Sequence, residues 1–307
     1  MRIALTAPTG MLGSMVYREL AEHHDLVLVY QDARKLHALD AAYGGVQRHR
    51  AIAADLTTLA DDYRAGFSGD CAGPRTQALL DAIGSVDLFF HCAGVTNRYA
   101  AERPLETFFL NSALPHLLSR IYRERLVHIT TDCVYSGIAG APYDEDALKT
   151  PTDFYGLTKS IGEPSDMSLV FRTSFIGPEI CDGVALLSWF FAQTDKTIHG
   201  YTNHWWNGMT TLALARIYAR IAADRSAFPA TGLFHLFGTD ITKHDLLVQC
   251  KERWGVRVTI EPKEATPIDR RLATQFDLCT QLAIPPLDMM LDALAAFPIM
   301  RELPTYA

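Results

Sequence analysis

The chain has 307 residues, of which 49% are hydrophobic and 21% are charged, a composition typical of a globular protein with a sizeable core. Its formal net charge is −7 and it contains no run of five Lys or Arg residues, which argues against a nucleic-acid partner. It has no stretch of eighteen apolar residues and no signal-peptide pattern, so we expect neither a membrane span nor secretion.

The cysteines lack the spacing of a disulfide framework or of a metal site. They are Cys71, Cys92, Cys133, Cys181, Cys250 and Cys279. Because no C-x-x-C pair and no matching His spacing occurs, we interpret them as reduced, mostly buried thiols of a cytoplasmic protein and predict no metal ligands.

The first thirty residues have the alternation of a βαβ unit. Residues 3–6 form a short apolar strand, residues 7–10 a turn, and residues 12–20 place apolar side chains at helical spacing. Residues 26–30 are a continuous apolar run, which is typical of a parallel strand buried on both faces.

Further apolar runs follow at residues 86–91, 126–130 and 169–172, with a helical pattern over residues 105–122. We also expect a strand near Ala51 and, after an irregular glycine-containing segment, a helix that begins near Pro74 or Thr76. Strands that alternate with helices predict an α/β fold of the Rossmann type, a doubly wound parallel sheet with helices on both faces.

The pattern changes after about residue 172, where strands shorten and prolines become frequent. Residues 212–223 predict a helix, residues 233–237 predict a strand that returns to the main sheet, and Thr242 predicts the N-cap of a helix that ends near Trp254. We therefore predict a larger domain over residues 1–172, rejoined by about 208–240. A smaller C-terminal lobe, over residues 173–207 and 241–307, is assigned to substrate binding.

The turn between the first strand and the first helix is the first candidate site. Its sequence is Thr6-Ala7-Pro8-Thr9-Gly10-Met11-Leu12-Gly13, in the strand–turn–helix context that a dinucleotide fingerprint requires. Gly10 would admit a pyrophosphate, Gly13 would let helix and strand pack closely, and the amides of Met11 and Leu12 would face the phosphates. Ala7 replaces the first glycine of the G-x-x-G-x-x-G pattern, so a tight turn without a ligand stays open on this segment alone.

Two segments bear on the choice of cofactor. Asp55-Leu56 follows the strand near Ala51, where the carboxylate would hold the adenine amino group or would only cap a helix. The second strand ends at Tyr30 and is followed by Arg34. An acidic residue there binds the ribose of NAD and an Arg the 2′-phosphate of NADP, so Arg34 favours NADP slightly over NAD, unless it is only a solvated surface charge.

Tyr155 and Lys159 form the core of a candidate catalytic set. They are four residues apart and share one face of a helix. A tyrosine with a pKa of about 10 would be made more acidic by a neighbouring ammonium and an oxidised nicotinamide, and would pass a proton to a carbonyl oxygen as hydride arrives. Lys159 would also bind the nicotinamide ribose. A surface pair has the same spacing, but Thr131, at the end of an apolar run, would hold the substrate oxygen beside the phenol.

These segments are similar to those of the extended short-chain dehydrogenase/reductases, and above all to the dTDP-4-dehydrorhamnose reductase branch. The similar segments span residues 130–135, 155–163, 171–177, 271–274 and 284–287. The resemblance implies that Thr131, Tyr155 and Lys159 are catalytic. It also implies that His91, Cys92, Ala93 and Gly94 form a loop over the cofactor and that Asn111 lies on the helix behind the site.

Some positions depart from the family pattern. Cys133 stands where dehydratases of the superfamily carry Glu, which argues against a dehydratase. Phe175 replaces a Trp of rhamnose-type reductases, and His91 and Cys92 replace Asn-Ala, so the identity of the sugar stays open.

Residues 203–210 (Asn203-His204-Trp205-Trp206-Asn207-Gly208-Met209-Thr210) combine aromatic rings with amides. Rings stack on sugars or bases, and amides supply paired donors and acceptors. We predict substrate contacts from Asn203 and Trp206, with a packing loop as the alternative. Asp132 and Phe175 would line the sugar site, and Arg172 would meet a diphosphate or join a structural ion pair.

Three functions follow as hypotheses. The first is an NAD(P)H-dependent reductase of the 4-keto group of a nucleotide-linked deoxysugar. The second is a nucleotide-sugar epimerase with tightly bound NAD. The third is a non-catalytic, cofactor-binding regulatory subunit, because the regulatory subunit of methionine adenosyltransferase resembles the same branch. The complete set of Thr131, Tyr155 and Lys159 favours an enzyme, and a homodimer through residues 105–122 and the Tyr155 helix is also expected.

Overall fold

Strands and helices alternate from the N-terminus onward in the computed structural model, which describes residues 1–64, 73–181 and 183–297. The strands are β1 (Arg2–Thr6), β2 (Asp25–Tyr30), β3 (Arg50–Ala53), β4 (Leu88–His91), β5 (Leu126–Thr131), β6 (Leu169–Thr173), β7 (Phe175–Ile176), β8 (Thr197–Tyr201), β9 (His204–Trp206), β10 (Met209–Thr210), β11 (Gly232–His235), β12 (Ile241–Thr242), β13 (Thr259–Lys263) and β14 (Ile268–Asp269). The helices are α1 (Met11–Leu20), α2 (Ala33–Tyr43), α3 (Ala60–Arg64), α4 (Pro74–Ile83), α5 (Asn97–Ala100), α6 (Pro104–Phe108), α7 (Leu114–Tyr122), α8 (Phe154–Ile161), α9 (Leu186–Phe191), α10 (Thr211–Ala223), α11 (Lys243–Trp254), α12 (Leu278–Gln281) and α13 (Leu287–Ala295).

The main sheet has the order β11-β6-β5-β4-β1-β2-β3, and every neighbouring pair is parallel. This is the strand order of a Rossmann fold with one further strand at the edge. The predicted α/β class is confirmed. The strand predicted over residues 233–237 is β11, which pairs with β6 through Leu233 and Val170.

Side chains alternate between the two faces of the sheet. Ile3 and Leu5 join an apolar cluster with Met15 of α1, while Ala4 joins a cluster with Leu117 of α7. Both faces are therefore covered, which explains why the strands read as continuous apolar runs. The connection after β1 leads to β2 on one side of it, and the connection after β3 leads back to β4 on the other side. A crevice therefore opens at the carboxyl ends of β1 and β4, where the direction of the connections reverses.

The C-terminal half supplies short strands that form small sheets. β12, β9 and β14 form one sheet, β13 pairs with β8, and β10 pairs with β7. The predicted helices over residues 212–223 and after Thr242 are α10 and α11, and the Thr242 side chain accepts a hydrogen bond from the Asp245 amide as an N-cap does. The proposed domain boundaries stay a prediction.

The helix predicted over residues 105–122 is interrupted by a π-helical segment, Phe109–Ala113. Pro115 has no N–H to donate to the carbonyl of Asn111, four residues earlier. That carbonyl instead faces Gly162, where an added Cβ would lie 1.8 Å from it. Such π segments often mark functional sites, and this one carries Asn111.

Several expectations concern groups outside the sheet. Cys92, Cys133, Cys250 and Cys279 are free thiols, whereas Cys71 and part of the segment predicted as irregular, residues 65–72, lie outside the described residues. Within the described ranges no helix is long and apolar enough to cross a membrane. No cluster of three or more His, Cys, Asp or Glu residues in those ranges is placed to hold a metal ion.

Candidate active site

The site is built first around Thr131, the last residue of β5. Thr131 is 7% exposed, and its hydroxyl is close enough to the Tyr155 side chain to lower the pKa of that phenol. The same oxygen accepts from the Cys133 amide at 3.2 Å and donates to Asp132 Oδ1 at 3.2 Å. The strand end thus fixes an alcohol beside a phenol.

Helix α8 carries the other two predicted catalytic residues. Asp153 caps the helix by accepting from the Gly156 amide at 2.7 Å. Tyr155 is partly buried, and Lys159 is 6% exposed with its Nζ donating to the Ile129 carbonyl at 2.8 Å. The structure therefore brings Thr131, Tyr155 and Lys159 together at the end of β5, and their catalytic roles stay a prediction.

Close packing of α8 depends on Gly156. A Cβ at this position would lie 2.2 Å from the carbonyl oxygen of Cys133. Only a glycine lets the helix approach the segment after β5 this closely, and the approach carries Tyr155 to Thr131.

Burial controls the acidity of both titratable catalytic groups. Burial raises the pKa of Tyr155. The nearby Cys133 and Asp132 raise it further, and the Thr131 side chain lowers it. Lys159 is not among the groups that act most strongly on this pKa, so the lowering expected from a neighbouring ammonium is not seen, and the phenol is protonated at neutral pH and able to donate. Burial also lowers the pKa of Lys159 to about 8, against the opposing effect of Glu163.

The nucleotide turn has the geometry that its sequence predicted, without its first glycine. Ala7 adopts φ +49°, the left-handed region in which glycine is favoured. Gly10 is the N-cap of α1 and no side chain caps this helix, so the amides of Met11 and Leu12 stay available to an anion. A Cβ at Gly13 would lie 2.0 Å from the Ala7 carbonyl oxygen.

A residue that the sequence interpretation missed, Thr6, holds the predicted cofactor loop. Its Oγ1 accepts from the amides of Cys92 at 3.1 Å and Ala93 at 3.2 Å, and it lies 3.0 Å from His91 Nδ1. The signal was available, because Thr6 ends the first strand, where Rossmann folds bind ligands.

Gly94 and Asn111 connect this loop to α8. A Cβ at Gly94 would lie 3.1 Å from Asn111 Oδ1 and 3.8 Å from Lys159 Nζ. The Asn111 amide accepts from the Val95 N–H at 2.9 Å and donates to the Thr158 hydroxyl at 3.2 Å. Asn111 thus lies behind the site, where the family resemblance places it.

The two residues predicted to contact the adenosine half have protein partners. Asp55 accepts from the Thr57 amide at 2.9 Å and caps the 3-10 turn Leu56–Leu59, so the N-cap alternative is confirmed and the adenine contact stays a prediction. The Arg34 side chain is 92% exposed and pairs with Asp32 at 2.9 Å. Its guanidinium is accessible to a phosphate.

Of the two roles considered for Arg172, the structure shows the structural ion pair. Arg172 is 1% exposed, and its Nε donates to Glu163 Oε1 at 3.0 Å while Nη2 donates to Oε2 at 2.6 Å. Burial on β6 makes it half of a structural ion pair. Since Glu163 follows α8 closely, this pair anchors the catalytic helix to the sheet.

In the segment of residues 203–210, the Asn203 and Trp206 side chains already contact other parts of the protein. The Asn203 side-chain amide donates to the Ala265 carbonyl at 2.6 Å and accepts from the Ala265 N–H at 3.2 Å. Trp206 is 3% exposed and Lys243 Nζ lies 4.5 Å from its ring centroid. These contacts fit the packing-loop alternative, and a ligand contact by either residue stays a prediction.

The sugar side of the site has further members. Phe175 lies on β7, partly buried beside Met209 of β10. Asp132 is 4% exposed; burial raises its pKa, and the charges of Lys243 and Arg270 oppose that rise. Neither cation was singled out from the sequence, although a Lys directly after the N-cap Thr242 is an electrostatically unfavourable choice that marks the position.

The chain is similar to known proteins over most of its length. The family described as RmlD substrate binding domain matches residues 1–274. The chain is 31% identical over 185 residues to a probable dTDP-4,6-dihydroxy-2-methyloxan-3-one 4-ketoreductase of Streptomyces antibioticus, a match that spans 57% of this chain and 52% of that relative. It is 26% identical over 238 residues to the dTDP-4-dehydrorhamnose reductase of Salmonella typhimurium, covering 72% of this chain and 79% of that relative.

Solved structures share the fold. A dTDP-4-dehydrorhamnose reductase from Bacillus anthracis, crystallised in complex with NADP, superposes with a TM-score of 0.69 at 17% identity and covers 95% of this chain and 98% of that one. The likeness confirms the fold at a low level of sequence identity. With residues 1–274 matched, the chain belongs to the RmlD substrate binding domain family.

Proposed function

We propose that this chain is an NAD(P)H-dependent reductase of the 4-keto group of a nucleotide-linked deoxysugar. The observation that supports the proposal is the convergence at β5 of three groups: Thr131 ends the strand, the Thr131 side chain lowers the pKa of the Tyr155 phenol, and the buried Lys159 donates to the Ile129 carbonyl of the same strand. The names of the curated relatives give the substrate class.

The residues around the crevice suit a dinucleotide. The uncapped N-terminus of α1 and the glycines at positions 10 and 13 would hold the pyrophosphate. Residues 92–94, kept in place by Thr6, would cover the nicotinamide half. Arg34 is exposed beside the ribose end and favours NADP over NAD.

The protein groups then divide the work of ketone reduction. When bound, the dinucleotide supplies the hydride that adds to the carbonyl carbon. The Thr131 hydroxyl would turn from Asp132 Oδ1 to donate to the carbonyl oxygen, and Tyr155, protonated at neutral pH, would transfer its proton to that oxygen. Lys159, which follows Tyr155 by one turn of α8, would favour the phenolate that remains through the charge of its ammonium.

Asp132 and Phe175 would line the sugar next to Thr131. Asp132 follows Thr131 directly and Phe175 lies on β7, which continues from β6 at the same end of the sheet. Asn203 and Trp206 would contribute through the lobe sheet rather than through a free stacking face. We place this chemistry in the cytoplasm, where the free thiols would stay reduced.

A homodimer is the partner we propose beyond the substrate. Leu105 and Phe108 of α6 and Leu157 and Ile161 of α8 are each more than 40% exposed. These helices pack together, so their apolar side chains form one surface of the kind that interfaces use. The oligomeric state in solution at several concentrations tests this part alone.

Activity of the wild type with both cofactors tests the function. We expect NADPH or NADH to be oxidised when a nucleotide-linked 4-ketodeoxysugar is added. An epimerase would instead purify with bound NAD visible in its spectrum and show no net oxidation. A regulatory subunit would bind cofactor, leave the sugar unchanged and co-purify with another enzyme.

Tyr155→Phe tests the assigned acid. We expect kcat to fall by about a hundredfold or more, because general acid catalysis contributes roughly that much. Tyr122→Phe is the matched control, since Tyr122 is buried at the far end of α7 and should retain full activity. Undiminished activity of Tyr155→Phe would remove the assignment.

A further inference from the structure

A pair of cations lies beside the predicted catalytic threonine, on the side of the lobe. The sheet formed by β12, β9 and β14 carries Trp206, Lys243 and Arg270 at or directly after its strand ends. The Arg270 amide donates to the Trp205 carbonyl at 3.2 Å, and Lys243 Nζ lies 4.5 Å from the Trp206 ring centroid. The sheet therefore fixes both cations relative to each other.

Cys133 connects the cationic pair, Lys243 and Arg270, to the hydroxyl of Thr131, which is predicted to be catalytic. Arg270 Nη1 donates to Cys133 Sγ at 3.3 Å. The Cys133 amide donates to Thr131 Oγ1 at 3.2 Å, and the Thr131 side chain in turn lowers the pKa of Tyr155. A ligand group held by Arg270 would thus lie close to the reacting oxygen.

Among the described residues, the positive charges of this cluster outnumber the negative ones. Asp132 interacts with both Lys243 and Arg270, so one buried carboxylate serves two cations. Burial lowers the pKa of Lys243, Asp132 opposes this, and the Arg270 charge adds to it. Arg270 Nε is buried and has no hydrogen-bond partner among the residues that the structure describes.

Helix stability does not explain Lys243 either. It is the first residue of α11, where the positive end of the helix dipole favours an acidic side chain and disfavours a cation. Lys243 and Arg270 are partly buried, and a partly desolvated excess of positive charge is stabilised by a further anion. These features together indicate a site built to receive negative charge.

We infer that Lys243 and Arg270 form a subsite for an oxyanion of the substrate, no farther than one sugar ring from the reacting carbonyl. Its place in the reaction rests on the proposed ketosugar reduction. Two groups of such a sugar have this chemistry: a phosphate on the anomeric oxygen and a carboxylate on the ring. The subsite binds the substrate and takes no part in the transfer of hydride or proton.

Direct binding tests the subsite without catalysis. The wild type, Lys243→Met, Arg270→Gln and the control Lys251→Met are titrated calorimetrically, each saturated with NADPH. The ligands are a nucleoside diphosphate, a sugar 1-phosphate and a hexuronate. We expect Lys243→Met and Arg270→Gln to lose at least tenfold in affinity, the scale of a charge-assisted hydrogen bond. Lys251 lies further along the same helix, so its variant keeps wild-type affinity.

The three ligands distinguish the source of the oxyanion. A loss confined to the phosphate ligands assigns the subsite to the substrate phosphate, and a loss confined to the hexuronate assigns it to a ring carboxylate; either supports the inference. Unchanged affinity for all three ligands in both variants overturns it.

Thermal unfolding separates binding from folding. Removing one of two like charges should leave the unfolding temperature unchanged or raise it. A fall in unfolding temperature together with weaker NADPH binding would show a structural role and overturn the inference. If the wild type binds these anions through the cationic pair but reduces no ketosugar, the proposed function fails while the subsite stands.

Discussion

The backbone conformation of Ala7 is unusual for a residue other than glycine. Its φ of +49° is one that costs a non-glycine residue about 1 kcal/mol or more. The sequence revealed the missing glycine but not that the turn keeps a glycine-like conformation, because other interactions hold it: the Ala7 amide donates to the Val29 carbonyl and its own carbonyl accepts from Gly10.

Ala7→Gly is therefore expected to stabilise the protein. Relief of the strained φ should raise the free energy of unfolding by roughly 1 kcal/mol. Ala38→Gly, within α2, is the matched control and should lower it by a similar amount, because glycine weakens a helix interior. Urea unfolding of both variants measures the difference, and a destabilised Ala7→Gly would show that the φ is not strained.

Lys159 sets an upper pH limit for cofactor use. Burial lowers its pKa from 10.5 to about 8, so the ammonium is lost from the folded protein as pH rises through that value. We expect kcat/KM for NADPH, which reports ionisations of the free enzyme, to decline above pH about 8. A profile that stays flat to pH 10 would contradict the assignment of Lys159 to the site.

The same shift has an opposite effect on stability. The folded state loses this proton before the unfolded state does, whose lysines titrate at about 10.4. The Lys159 contribution to the free energy of unfolding therefore grows between pH about 8 and about 10. Function and stability thus change in opposite directions at one residue.

In the unit formed by β1, the following turn and α1, one glycine is needed for close packing and another for the predicted binding of the cofactor. Gly10 has φ −80°, and a Cβ there would lie 3.4 Å from its nearest neighbour, the Ala7 carbonyl. Gly13 has no such room, since its Cβ would lie 2.0 Å from the same oxygen. The two glycines look alike in sequence and differ only in what surrounds them.

Substitution by alanine distinguishes these roles. Gly10→Ala should keep the unfolding temperature but weaken NADPH binding, because its methyl group occupies the path of the pyrophosphate. Gly13→Ala should lose about 1 to 3 kcal/mol of stability as well, from overpacking between α1 and the turn. Calorimetric titration with NADPH and thermal unfolding check both, and equal stability of the two variants would refute the distinction.

Elements were predictable where one local signal decided them. Apolar runs gave the strands of the main sheet, and Thr242 gave the start of α11. The π-helical segment Phe109–Ala113 was not predictable from one local signal. Pro115 leaves the Asn111 carbonyl without its helical donor, and the absence of a side chain at Gly162 leaves space for that carbonyl. That contact joins residues far apart in the chain.

Across the whole chain, the candidate site contains residues that local patterns indicate and residues that only the tertiary structure brings together. Thr131, Tyr155 and Lys159 follow from β5 and the helix after it, so spacing and strand ends were enough to propose them. Lys243 and Arg270 meet Asp132 only because β12, β9 and β14 form one sheet from strands that are not consecutive in the chain. No local pattern encodes that convergence.

In the proposed reaction, the dinucleotide would supply a hydride to the carbonyl carbon of a nucleotide-linked ketosugar while Tyr155 protonates the oxygen. Reduction with NADPH deuterated at the transferable position, followed by mass spectrometry and NMR of the sugar, measures this directly. We expect one deuterium at the former carbonyl carbon, and transfer that is about a hundredfold or more slower with Tyr155→Phe. A sugar that returns without deuterium, or whose configuration inverts while the cofactor keeps its label, would contradict it.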